Sequence, residues 1–110
     1  MATTRYSTSV TLCEDTSVNY ELSDLLKQAD PNYSAIDPAR IKLYVLDSTT
    51  NKYVEVTTGF FSAVDKDTFT VDMAQLPNFN GIQKVRVLGT DSTGNTFVLD
   101  LQINVTPVND

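Results

Sequence analysis

The sequence predicts an all-β domain, a seven-stranded antiparallel β-sandwich, on three observations. Its composition favours strands: 15 Thr and 12 Val stand against 6 Ala, and β-branched residues suit a pleated, half-buried surface better than a helix. Apolar residues recur with a period of two in seven short segments, the spacing that turns one side of a strand into a core. Between those segments Gly, Pro, Asn and Asp cluster, where turns need them.

Residues 1–6 carry no apolar pattern and read as a disordered N-terminal linker. The first strand is marked by Val10 and Leu12, and a turn over 13–16 follows. Val18, Tyr20 and Leu22 alternate with Asn19 and Glu21 as the second strand. The longest connection, 23–40, begins with a short helix over 24–29 that Ser23 would cap. Asp30 ends that helix, because a residue before proline avoids the helical region. Ile41, Leu43 and Val45 alternate with Lys42 and Tyr44; Val54 and Val56 flank Glu55; Phe69 and Val71 follow the turn Asp65-Lys66-Asp67. Asn80 and Gly81 introduce the strand of Val85 and Val87, which alternate with Lys84 and Arg86. Residues 91–95, reading Asp-Ser-Thr-Gly-Asn, are a hairpin signal. The clearest strand comes last: Phe97, Leu99, Leu101, Ile103 and Val105 alternate with Val98, Asp100, Gln102 and Asn104. Seven short strands at this spacing pack as two sheets in an immunoglobulin-like Greek key. The domain spans 7–106, and the polar, Pro-containing 107–110 begin a linker.

Charge and missing residues narrow the function. With 110 residues the chain is one domain. Its net charge of −6 is the wrong sign for neutralising nucleic-acid phosphates and is repelled by anionic lipid. No run of 18 apolar residues is present to cross a membrane. The absence of His removes imidazole from metal binding and from acid–base catalysis. A lone Cys13 can form no internal disulfide and no zinc pair. Carboxylates remain, but none sits in the apolar setting that a general acid needs. A non-catalytic module is expected.

The segment Cys13-Glu14-Asp15-Thr16-Ser17-Val18 with Leu22-Ser23-Asp24-Leu25-Leu26, the turn Asn78-Phe79-Asn80-Gly81, Thr90-Asp91-Ser92 with Gly94, and the ending Ile103-Asn104-Val105-Thr106-Pro107-Val108-Asn109-Asp110 resemble the bacterial cadherin-like tandem repeats of large surface or secreted adhesins. The likeness spans about residues 9–110 and implies a structural or adhesion repeat, extracellular or on the bacterial surface. By this resemblance Ca²⁺ binds where successive repeats meet. Glu14, beside Asp15, would form a lower half-site with Asn109 and Asp110. Asp30 and Asp91 would form an upper half-site completed by the preceding repeat's linker. The connection 31–40 departs from the family pattern, retaining only Asp37.

Strand direction gives a second route to the same cation. If the strands run up and down, one pole collects Glu14, Asp15, Asp47, Asp72 and Asp110 against Lys52 alone. The other collects Asp24, Asp30, Asp37, Asp65, Asp67 and Asp91 against Arg5, Lys27, Arg40 and Lys66. Clustered carboxylates repel, and Ca²⁺ offsets that with six to eight oxygen ligands. Each half-site is incomplete in an isolated domain, so binding there is expected to be weak. The expected partners are neighbouring repeats and a cell-surface protein or polysaccharide, with the isolated domain monomeric. The alternative is a carbohydrate-binding accessory module of a polysaccharide-degrading enzyme.

Overall fold

A computed structural model describes residues 3–30, 38–57, 59–76 and 80–107. Among these residues eight strands form two sheets: β1 (Thr3–Cys13), β2 (Ser17–Glu21), β3 (Pro38–Asp47), β4 (Lys52–Val56), β5 (Phe61–Ala63), β6 (Thr68–Asp72), β7 (Gly81–Asp91) and β8 (Thr96–Thr106). One sheet has the order β1-β8-β7-β3-β4 and the other β2-β6-β5. Their inner faces meet in one core. Phe61, Phe69 and Val71 of the smaller sheet face Val85, Val87, Leu99, Leu101 and Ile103 of the larger. Burying these period-two side chains is the main driving force for the fold.

The structure corrects the expected strands in three places. There are eight, not seven: β5 is only three residues long with a single buried side chain, Phe61, so it shows no alternation to read. The sandwich is not antiparallel throughout, because β1 and β8 pair in parallel from Thr3↔Thr96 to Cys13↔Thr106. Residues 3–6, expected as linker, belong to that pairing. Ladder hydrogen bonds need no apolar side chain, and β1 covers the row of backbone groups that β8 would otherwise leave unpaired. Tyr6 turns inward against the core.

Helix α1 (Leu22–Ala29) buries Leu22, Leu25 and Leu26 against β1 and β2, closing the side of the sandwich between them. It starts before the expected Ser23 cap, because its cap comes from elsewhere in the chain. Asp67, in the β5–β6 turn, accepts from Ser23 N at 3.2 Å with Oδ1 and from Ser23 Oγ at 3.0 Å with Oδ2. The Asp67 carbonyl accepts from Leu22 N at 2.7 Å. A carboxylate at this end satisfies free N–H groups and suits the helix dipole. Asp30 closes the other end in an extended conformation, as its place before Pro31 requires.

Candidate functional site

The two poles hold the carboxylates that the sequence singles out. At the pole where β1 and β8 end, Glu14 N donates to the Thr106 carbonyl at 2.9 Å, so the β1–β2 turn sits beside the chain's last described residues. Asp15 takes the left-handed region at φ 64°, which Asp tolerates in a turn. Thr16 Oγ1 pins the turn by donating to the Cys13 carbonyl at 2.6 Å. Asn109 and Asp110 lie outside the described residues, as does Asp37.

The opposite pole does not unite its two candidates. Asp91 opens the β7–β8 turn, where Thr90, Thr96 and Thr3 lie side by side. The far end of α1, with Asp30, lies lower: Gln28 Nε2 donates to Thr8 Oγ1 at 2.9 Å and to the Ser9 carbonyl at 3.3 Å. Thr8 and Ser9 are five and six positions along β1 from Thr3, which at ~3.3 Å per strand residue is on the order of 16–20 Å down the sheet from the β7–β8 turn. Among the described residues no three His, Cys, Asp or Glu side chains gather as a metal site.

Several turn acids already serve their own turns. Asp91 Oδ1 accepts from Thr93 N at 3.0 Å, Thr93 Oγ1 at 2.7 Å and Asn95 N at 2.9 Å. Asp65 Oδ1 accepts from Asp67 N and Thr68 N. Asp47 and Asp72 accept from Thr49 N and Ala74 N. This is the self-bonding that makes Asp a turn residue. It holds the Asp91 carboxyl below the ordinary value of 3.8, the Thr93 hydroxyl being the main cause, and backbone donors from Asp67 and Thr68 hold Asp65 below it. A depressed carboxyl stabilises the fold above its unfolded pKa and loses that contribution as pH falls through its folded pKa. Asp91→Asn is therefore expected to melt below the parent at pH 7, with the gap closing toward pH 2. Paired thermal melts across that range check it; a gap independent of pH would show that the charge is not what matters.

A different surface emerges on the outer face of the five-stranded sheet. Val85 and Val87 point into the core, so Lys84, Arg86 and Leu88 point outward. Register brings their neighbours alongside. Asp100 of β8 is directly opposite Arg86, Tyr44 of β3 lies on its other side, and Tyr53 of β4 is opposite Leu46. Arg86 Nε donates to Asp100 Oδ1 at 2.6 Å. Its guanidinium carbon lies 4.0 Å from the Tyr53 ring centroid, a cation–π contact. The ion pair is about one-third exposed on each side, at 31% and 37%, so it adds little stability, ~0.2–1 kcal/mol. Its role is to orient Arg86.

Two open clefts meet at this residue. One, of about 550 Å³, is lined by Ser7, Ser9, Lys84, Arg86, Asp100 and Gln102 and reaches Tyr53. The other, of about 270 Å³, has Leu88 and Val98 in its floor and Arg5, Tyr44, Tyr53 and Arg86 around it. The sequence did signal half of this: Lys84 and Arg86 occupy wet positions of one alternating strand, Lys42 and Tyr44 those of another. What it lacked was the adjacency of β3, β7, β8 and β1, and the membership of Arg5 in a strand at all.

Over 93% of its length the chain superposes on the first Ig-like domain of human CD48 antigen, covering 84% of that chain with a TM-score of 0.55 and 10% identity. The fold is immunoglobulin-like. The same sandwich superposes over 94% of its length on part of a 2,6-sialyltransferase from Photobacterium sp. JT-ISH-224, with a TM-score of 0.51 and 11% identity. Listeria monocytogenes InlP gives a TM-score of 0.49 at 12% identity, again over 94% of this chain. The chain spans 18% of the sialyltransferase and 27% of InlP. At these identities the likeness is one of fold alone. No family model matches the chain, and no curated protein does.

Proposed function

We propose that this chain is a non-catalytic structural or adhesion module, set in series with other modules of a bacterial surface or secreted protein. The observation that carries the reading is the parallel pairing of β1 with β8. The first strand starts at one pole and the last ends at the other, an arrangement that suits domains strung end to end. The immunoglobulin-like fold agrees with an interaction module, and no helix among the described residues is long and apolar enough to cross a membrane.

The finer part of the proposal is that Ca²⁺ stiffens the junction between modules. Glu14 and Asp15, next to Thr106, would supply one side together with Asn109 and Asp110. Asp91 of the following module would supply the other. A protein carrying the chain twice in tandem tests this. Millimolar Ca²⁺ is expected to raise its melting temperature and lengthen it in small-angle scattering. Glu14→Ala with Asp110→Ala should abolish both effects. If Ca²⁺ changes neither quantity, the junction does not use it.

A further inference from the structure

The chain's charges are sorted by surface. Of its 8 Lys and Arg, five lie on the outer face of the large sheet: Arg5, Arg40, Lys42, Lys84 and Arg86. Each alternates with inward residues of β1, β3 or β7 and sits at a strand position facing away from the core. Among the described residues only Asp100 and Glu55 oppose them on that face, Glu55 being opposite Tyr44. Of the five cations, Arg86 alone is in an ion pair among the described residues. A protein of net charge −6 thus carries one basic face, crossed by a cleft with tyrosines on its wall and an apolar floor.

We propose that this face binds an anionic polysaccharide, a chain of sugar acids or sulfated sugars, laid across the strands in the cleft. The chemistry of the lining matches that ligand part by part. Arg5, Lys84 and the remaining guanidinium donors of Arg86 meet carboxylates or sulfates. The Tyr44 and Tyr53 rings and the Leu88–Val98 floor accept the apolar faces of sugar rings. Ser7, Ser9, Gln102 and Asp100 supply donors and acceptors for hydroxyl groups. Together the clefts run from β1 to β4, four strand spacings or ~19 Å, which accommodates several sugar units. A second copy of this chain fits the face less well. Its carboxylates at Asp47, Asp65, Asp72 and Asp91 are engaged in their own turns, and two copies of net charge −6 repel at long range. The assignment is independent of the serial-module reading, since a tandem protein can ignore Ca²⁺ and still bind through this face.

The test is affinity electrophoresis and calorimetry of the isolated chain at pH 7 and 0.15 M salt. The probes are polygalacturonate, dextran sulfate, uncharged dextran and poly-glutamate. Retardation by polygalacturonate or dextran sulfate is expected, each naming its own anionic group, with at least tenfold weaker binding to dextran and to poly-glutamate. The double variant Arg5→Glu, Lys84→Glu is expected to lose at least tenfold in affinity. Tyr53→Ala should lose severalfold, and Lys27→Glu, the same charge change on exposed α1, less than twofold. Circular dichroism confirms that each variant remains folded. Equal binding to poly-glutamate would indicate an acidic protein partner instead and overturn the proposal. Equal binding to dextran, no binding to either anionic polysaccharide, or a double variant that binds like the parent would overturn it as well.

Discussion

Phe69→Ala is expected to lower the free energy of unfolding by about 3–5 kcal/mol, measured by urea denaturation. Phe69 is fully buried on β6, the middle strand of the smaller sheet. Its ring meets Phe61 edge-on with centroids 5.3 Å apart and lies 5.9 Å from Tyr20. These three rings join all three strands of that sheet, since Tyr20 is on β2 and Phe61 on β5. The strands are only three to five residues long, so their ladder hydrogen bonds alone hold little. Removing the central ring leaves a cavity and unties both neighbours. Typical domains have about 5–15 kcal/mol of total stability, which makes this loss a large fraction. Phe69→Leu, which refills most of the space, should cost clearly less. A loss under about 1 kcal/mol for the alanine variant would mean that the smaller sheet collapses around the gap.

Gly89→Ala is the second large effect, and its sign is counter to propensity. Alanine normally suits a strand better than glycine does. Gly89, however, faces inward from β7 directly opposite Phe97, and a Cβ there would stand 2.1 Å from Phe97 Cε2. The Phe97 ring fills the space that the glycine leaves open. It is 2% exposed, so it cannot swing to solvent without breaching the core. A loss of about 1–3 kcal/mol follows from overpacking of this kind. Phe97→Leu in the same chain should relieve part of it, giving a coupling of about 0.5–3 kcal/mol in a double-mutant cycle. Stability unchanged in Gly89→Ala would show that the ring has room to move.

Both residues illustrate how far the sequence can be read. Phe69 is legible as core from its alternation with Thr68 and Thr70. Gly89 is not, because its role depends on the residue across the ladder. The polar ends were legible for a related reason. β4 and β5 both run away from the pole of the β1–β2 turn, so the unread β5 does not change which turns share a pole. The assignment of Asp47 and Asp72 to one pole and of Asp65, Asp67 and Asp91 to the other therefore stands. Arg5 and Arg40 are different. They do stand near the pole of Asp91, opposite Val98 and Thr90 respectively, but on the outer face of the larger sheet.

By itself the sequence determined the class of the fold, the strands with a full alternating pattern and the chemistry available: oxygen ligands, no imidazole, no disulfide. These follow from side-chain type and local period, which act within a few residues. Only the tertiary structure decided that β1 pairs in parallel with β8 from Thr3 onward, that Asp67 caps a helix some forty positions earlier, about 0.5–2 kcal/mol for such a cap, and that Asp30 and Asp91 stand apart. It also decided that Arg5, Lys84 and Arg86 share one cleft with Tyr53. The reason is that strand order and register are set by packing between distant segments, and a strand's own residues carry no record of which neighbour it will meet.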